Sequence, residues 1–160
     1  MLALHARRPL IAILVDADAC PVKDEIYAVA ARYDLAVAVV CNTHIAVPGG
    51  VGAQLVVVGR EPDAADEWIA GHAERGDVVV TADVPLAARC LAAGARVLRP
   101  DGRVFDESMI GDALATRQLL SELRNQGVVS GGPKPFADKD RARFMSRLDQ
   151  MLRAGLRERS

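Results

Sequence analysis

The sequence predicts an α/β domain with a mainly parallel sheet, and three features carry that reading. Valine-rich apolar runs recur at residues 11–15, 35–40, 54–58, 78–81 and 96–98. They are continuous rather than alternating, as expected of strands buried on both faces. Stretches with apolar residues at helical spacing separate most of them, the order that builds a parallel sheet with helices packed against it. A length of 160 residues suits one domain over 1–160, and 51% hydrophobic against 26% charged residues is enough apolar material for a sizeable core.

Taken in order, the first run reads as a buried strand that empties into Asp16-Ala17-Asp18-Ala19-Cys20-Pro21. Pro21 stands where a first helical residue would, and residues 22–33 carry Ile26, Val29 and Ala30 at helical spacing. The second strand, 35–40, is followed by 42–52, where Pro48-Gly49-Gly50 predicts an irregular connection. The third strand leads to a helix over 64–74, with Ala65, Trp68 and Ile69 on one face. The fourth leads to a helix over 85–93, stopped by Gly94. After the short fifth strand and the turn Pro100-Asp101-Gly102, residues 109–124 read as a helix carrying Ile110, Leu114 and Leu119, ended by Asn125-Gln126-Gly127. Residues 130–136, Ser-Gly-Gly-Pro-Lys-Pro-Phe, suit neither a helix nor a central strand. Asp138 reads as the N-cap of a last helix through Leu152, anchored by Phe144 and Leu148. There is no repeat, low-complexity tract or second domain in the pattern.

The formal net charge of -1 excludes a global basic field, so any nucleic-acid binding has to be local. Arg141, Arg143, Arg147, Arg153, Arg157 and Arg159 crowd the last segment, as a solvated amphipathic helix does. Cys20, Cys41 and Cys90 are odd in number and widely spaced, which suits a reducing compartment, so a cytoplasmic location is expected. The N-terminal apolar run is too short to span a bilayer and meets acids after Val15, so neither a secretory signal nor a membrane segment is expected.

Chemistry concentrates where strands end. Asp16 and Asp18 are like charges that raise each other's pKa unless solvent or a cation lies between them. A second junction of the same kind, Asp77-Val78-Val79-Val80-Thr81-Ala82-Asp83, ends in a hydroxyl and a carboxylate. Ligands of open parallel sheets sit outside the carboxyl ends of the strands, near the point where strand order reverses. Asp16, Asp18, Asn42 and Asp83 all fall there. If the first and fourth strands are neighbours, their carboxylates converge into oxygen ligation suited to Mg²⁺ or Mn²⁺. Asp63 and Asp66, opening the helix after the third strand, would close the ring. Such clusters activate water and stabilise the oxygens of a phosphoryl displacement. Each acid also has a plainer reading: Asp16, Asp18 and Asp83 as helix or turn caps, Asp63 and Asp66 as acids complementing a helix dipole. His5, His44 and His72 form no metal-ligand spacing, and carboxylates near Cys20 argue against a catalytic thiolate.

The chain resembles the YaiI/YqxD family of bacterial proteins, assigned to the PIN-like nuclease superfamily, from Ile11 to about Leu152. The likeness is carried by Val15-Asp16-Ala17-Asp18-Ala19-Cys20-Pro21-Val22-Lys23, Pro62-Asp63-Ala64-Ala65-Asp66-Glu67-Trp68-Ile69, Thr81-Ala82-Asp83-Val84-Pro85-Leu86-Ala87, and Gly131-Gly132-Pro133-Lys134-Pro135-Phe136 followed by Asp140-Arg141. It implies a PIN-like three-layer sandwich with a mainly parallel sheet and a C-terminal helical extension. It also implies a metal-dependent nuclease acting on RNA or another single-stranded nucleic acid, with Asp16, Asp18 and Asp83 as catalytic residues. For the metal, Asp16, Asp66 and Asp83 are expected as ligands, with Asp63 and Glu67 competing for the place given to Asp66. Lys23, Asn42, Thr81, Arg117, Lys134 and Arg141 are the candidates for contacting substrate. Two rivals keep the same acids in other roles. One is a haloacid-dehalogenase-like phosphohydrolase, in which Asp16 attacks phosphorus and Asp18 moves a proton. The other is a non-catalytic module that binds nucleic acid or a nucleotide.

Overall fold

Ile13, Leu14 and Val15 are wholly buried, and with Asp16 they form β1 (Ile13–Asp16) at the centre of the sheet. The computed structural model describes residues 11–18, 20–49, 52–111 and 136–159. In chain order the remaining elements are α1 (Lys23–Arg32), β2 (Val37–Cys41), β3 (Ala53–Val57), α2 (Ala64–His72), β4 (Val78–Val80), α3 (Val84–Ala92), β5 (Arg96–Leu98), β6 (Val104–Phe105) and α4 (Asp138–Arg159). The six strands lie in the order β3-β2-β1-β4-β5-β6. The first five run parallel, and β6 pairs antiparallel with β5.

Side chains alternate across this sheet and build two cores. Ile13, Val15, Val37, Val39, Val78, Val80 and Leu98 face α1 and α4, meeting Ile26, Val29, Phe144, Leu148 and Leu152. Leu14, Ala38, Val40, Val56, Val79 and Val97 face α2 and α3, meeting Ile69, Leu86, Ala87 and Cys90. The result is a three-layer α/β sandwich with a C-terminal helix, as the sequence predicts. It also explains why the strands read as continuous apolar runs, because both of their faces are covered.

Strand order reverses beside β1. The chain winds outward from β1 through β2 to β3, then returns through α2 to place β4 on the other flank of β1. The crevice between the carboxyl ends of β1 and β4 is therefore the switch point at which such folds bind ligands.

Several boundaries differ from the sequence expectation. Helix α1 begins at Lys23 rather than at Pro21, which lies in a preceding turn. The strand β6 has two residues, too few to show a period in the sequence. Helix α4 runs past Leu152 to Arg159, because Arg96 donates to the Met151 carbonyl and pairs with Glu158 at 2.6 Å. Asp138 is the first residue of that helix. The expected helix over 109–124 is under way at residues 107–111, and the rest of it lies outside the described residues, as does most of the Gly-Gly-Pro-Lys-Pro-Phe stretch. Among the described residues, no helix is long and apolar enough to cross a membrane.

Candidate active site at the carboxyl edge of the sheet

Register decides which side chains meet at the switch point. Val15 is level with Val80 and Val80 with Leu98, so one further step sets Asp16, Thr81 and Arg99 in a row across β1, β4 and β5. The Thr81 N–H donates to the Leu98 carbonyl at 3.2 Å and keeps the step in register. Alternation then turns Asp16 and Thr81 toward the α2/α3 layer, the same layer as Leu14 and Val79, each two positions earlier on its strand.

Thr81 ties the two strand ends together. Its hydroxyl, buried with the rest of the residue, donates to Asp16 Oδ2 at 2.9 Å and accepts from the Asp83 N–H at 3.0 Å. Asp83 caps α3, its Oδ1 accepting from the Leu86 N–H at 2.7 Å. The plainer reading of Asp83 is thus present in the structure, and it uses one of the two carboxylate oxygens.

Burial holds the Asp16 carboxyl above the usual carboxylate range; the Thr81 hydrogen bond opposes this, and the charges of Asp83 and Asp18 add to it. The Asp66 carboxyl, in the first turn of α2, is pushed up to about 6, first by burial and then by the charges of Asp83 and Asp16. Carboxylates from β1, α2 and α3 therefore share one field. Asp63, at the N-cap position of α2, makes no side-chain capping bond and also contributes to the rise at Asp66. Glu67 is engaged elsewhere: Arg89 of α3 grips it with two hydrogen bonds, at 2.9 and 3.2 Å. Of the three acids that compete on sequence, Asp66 is the one coupled to Asp16 and Asp83.

The remaining candidates fall in different places. Asp18 accepts from the Asn42 N–H through both oxygens, at 3.2 Å each, and so pins the loop after β2 to the loop after β1. Lys23 donates its ammonium to the carbonyls of Ala17 and Cys20, at 3.1 and 3.2 Å, closing the acidic loop from behind. Arg141 donates to the Pro21 carbonyl at 2.7 Å, pairs with Glu25 and lies over the Phe136 ring, which docks α4 on α1. Burial raises the Cys20 thiol above its ordinary range. Arg117 and Lys134 lie outside the described residues.

Aspartate oxygens at a strand junction are the donor type that hard divalent cations take. Among the described residues, no three His, Cys, Asp or Glu side chains already stand together at ligand spacing. A shared cation would require the carboxylates of Asp16, Asp66 and Asp83 to turn inward, Asp83 through its uncapped oxygen.

Comparison with known proteins places the chain in a family. The family model described as "Uncharacterized BCR, YaiI/YqxD family" matches residues 14–154. The chain belongs to the YaiI/YqxD family. It is similar to a UPF0178 protein of Azorhizobium caulinodans, 53% identical over 156 residues covering 95% of this chain and 98% of that one. A UPF0178 protein of Brucella ovis is 55% identical over 150 residues, 91% of this chain and 93% of the relative. One of Bradyrhizobium diazoefficiens is 53% identical over 147 residues, 92% and 88%. No solved structure matches the chain. The match to the YaiI/YqxD family runs from within β1 to within α4, so Asp16, Asp18, Asp66, Asp83 and Thr81 lie within it.

Proposed function

We propose that this YaiI/YqxD protein is a metal-dependent phosphodiesterase that cleaves RNA or another single-stranded nucleic acid. Asp16, Asp66 and Asp83 would hold Mg²⁺ or Mn²⁺, and Asp18 would support the loop that carries Asp16. One observation supports this reading above the rest. Burial and the charge of Asp83 raise the carboxyls of both Asp16 and Asp66 at the switch point, and Arg89, whose charge opposes the rise at Asp66, is bonded to Glu67.

Such an arrangement costs the fold free energy unless a bound cation offsets it. When bound, the cation activates water and neutralises charge on the phosphate oxygens. The chain itself supplies orientation. Thr81 fixes one Asp16 oxygen, Leu86 fixes one Asp83 oxygen, and each carboxylate keeps a second oxygen for the site.

The test incubates purified protein with labelled single-stranded RNA and with a panel of phosphomonoesters in Mn²⁺, beside Asp16→Asn and Asp83→Asn. Internal RNA cleavage that disappears in both variants is the expected result. Monoester turnover with phosphate trapped on Asp16 would assign the protein to the phosphatase class instead. RNA binding without cleavage by the wild type would mark a binding module.

A further inference from the structure

We propose that Arg99, at the carboxyl end of β5, binds a backbone phosphate of a single-stranded RNA that runs along the sheet edge from the acidic site. The proposal rests on the nuclease reading and adds to the acidic site a cation that holds a polyanion beside it.

Placement comes first. Asp16, Thr81 and Arg99 occupy one row on three neighbouring parallel strands, so Arg99 is level with the acids and two strands away, about 10 Å between main chains. Its strand neighbour Val97 faces the α2/α3 layer, and alternation sends Arg99 to the same side. The guanidinium confirms this by lying over Phe105, a residue of that layer, 5.8 Å from the ring centroid. An acid, a hydroxyl and a guanidinium in series form a track that changes sign along its length, and neighbouring phosphates on one strand can span it.

Among the described residues, the charge at that end is not fully matched. Arg99 and Arg103 both approach Asp101, at 3.3 and 3.8 Å, so two guanidiniums share one carboxylate. Asp101 is further occupied by the Arg103 N–H, which donates to its Oδ1 at 3.1 Å, while Arg143 donates to its carbonyl. The Arg99 Nε–H is buried and has no acceptor among the described residues. A phosphate oxygen is the acceptor type that a planar guanidinium takes best, and it would meet the exposed atoms of this side chain rather than the covered Nε. With 37% of the side chain exposed, the group is reachable from solvent. Of the basic residues that the sequence favours, Lys23 and Arg141 already donate to carbonyls of the chain, and Arg117 and Lys134 lie outside the described residues.

The test measures binding of a 5′-labelled single-stranded RNA by anisotropy over a salt series, with strand integrity checked on a gel. In Arg99→Gln the affinity should fall about tenfold, as expected for one lost charge-assisted hydrogen bond. The slope of log affinity against log salt should shrink by about 0.7, the value for one phosphate contact on a single strand. Arg99→Lys keeps the charge and should keep the slope. The rise in melting temperature on adding Mn²⁺ should be unchanged in both, because Arg99 holds no metal. Asp101→Asn leaves Arg99 in place and releases it from the carboxylate that competes with the phosphate, so affinity should rise with the slope unchanged. If Arg99→Gln melts too low to measure, this variant decides. Wild-type affinity and slope in Arg99→Gln, or an unchanged affinity in Asp101→Asn, would overturn the assignment and leave the nuclease reading standing. A wild-type protein that does not bind the RNA would remove both.

Discussion

Asp66 is where the chemistry of single residues becomes measurable. Its carboxyl titrates near 6 in the folded chain, above the ordinary 3.8, so the folded state binds the proton more tightly than the unfolded state. By linkage, the contribution of this group to stability is highest below the ordinary value and is lost as pH rises toward 6. Asp16 shifts in the same direction and reinforces the trend. A cation competes with that proton, so binding should strengthen through the same interval. Melting curves with and without Mn²⁺ should differ little near pH 5 and clearly at pH 7.5. In Asp66→Asn the metal response should be small at every pH, and a full response there would place the ion elsewhere. The sequence shows Asp63, Asp66 and Glu67 within one helical turn and cannot rank them. Their ranking depends on the phase of α2 against the sheet and on Arg89, which arrives from α3 to claim Glu67.

Elements that bury continuous apolar runs were legible in the sequence, and those defined by pairing partners were not. Strands β1, β2 and β4 announce themselves as Val- and Ile-rich runs because helices cover both their faces. The two-residue β6 exists only through its pairing with β5, and the end of α4 depends on Arg96, some sixty positions earlier in the chain. The turn between β5 and β6 shows how tightly these late elements are fitted. Gly102 has φ 89°, and a Cβ built there would lie 2.7 Å from the main-chain nitrogen of Phe144 on α4. Gly102→Ala therefore meets two penalties, the left-handed backbone and a collision with a helix that cannot yield without disturbing the fully buried Phe144. A loss of about 1–3 kcal/mol is expected from the denaturant midpoint. A change within a few tenths of a kcal/mol would mean that α4 can shift away from the turn.

Across the whole molecule the two edges of the sheet separate stability from chemistry. Acids at the carboxyl edge repel one another, whereas the buried acid at the amino edge is fully engaged. Asp77, wholly buried just before β4, accepts the Ala12 N–H at 3.0 Å and the Glu74 N–H at 2.9 Å, one on each oxygen. It fixes the entry of the chain into β1 and β4, the same two strands whose far ends carry Asp16 and Thr81. The sequence displays Asp77 and Asp83 as equals, an acid on either side of three valines, and only the direction of the strand tells them apart. Opposite substitution outcomes follow. Asp77→Asn presents an amide N–H₂ to one of the two donors, leaving it unpaired, and should cost about 1–3 kcal/mol of stability. Its Mn²⁺-induced rise in melting temperature should survive. Asp16→Asn keeps an oxygen to accept from Thr81 while removing a charge that Asp83 and Asp18 oppose. The metal-free variant should therefore melt at or above the wild type, and its Mn²⁺ response should be largely gone. Measured side by side in EDTA and in Mn²⁺, these variants should move along different axes. An Asp16→Asn protein that is destabilised without metal yet still gains stability from Mn²⁺ would reduce Asp16 to a structural acid like Asp77, and the metal reading of the carboxyl edge would go with it.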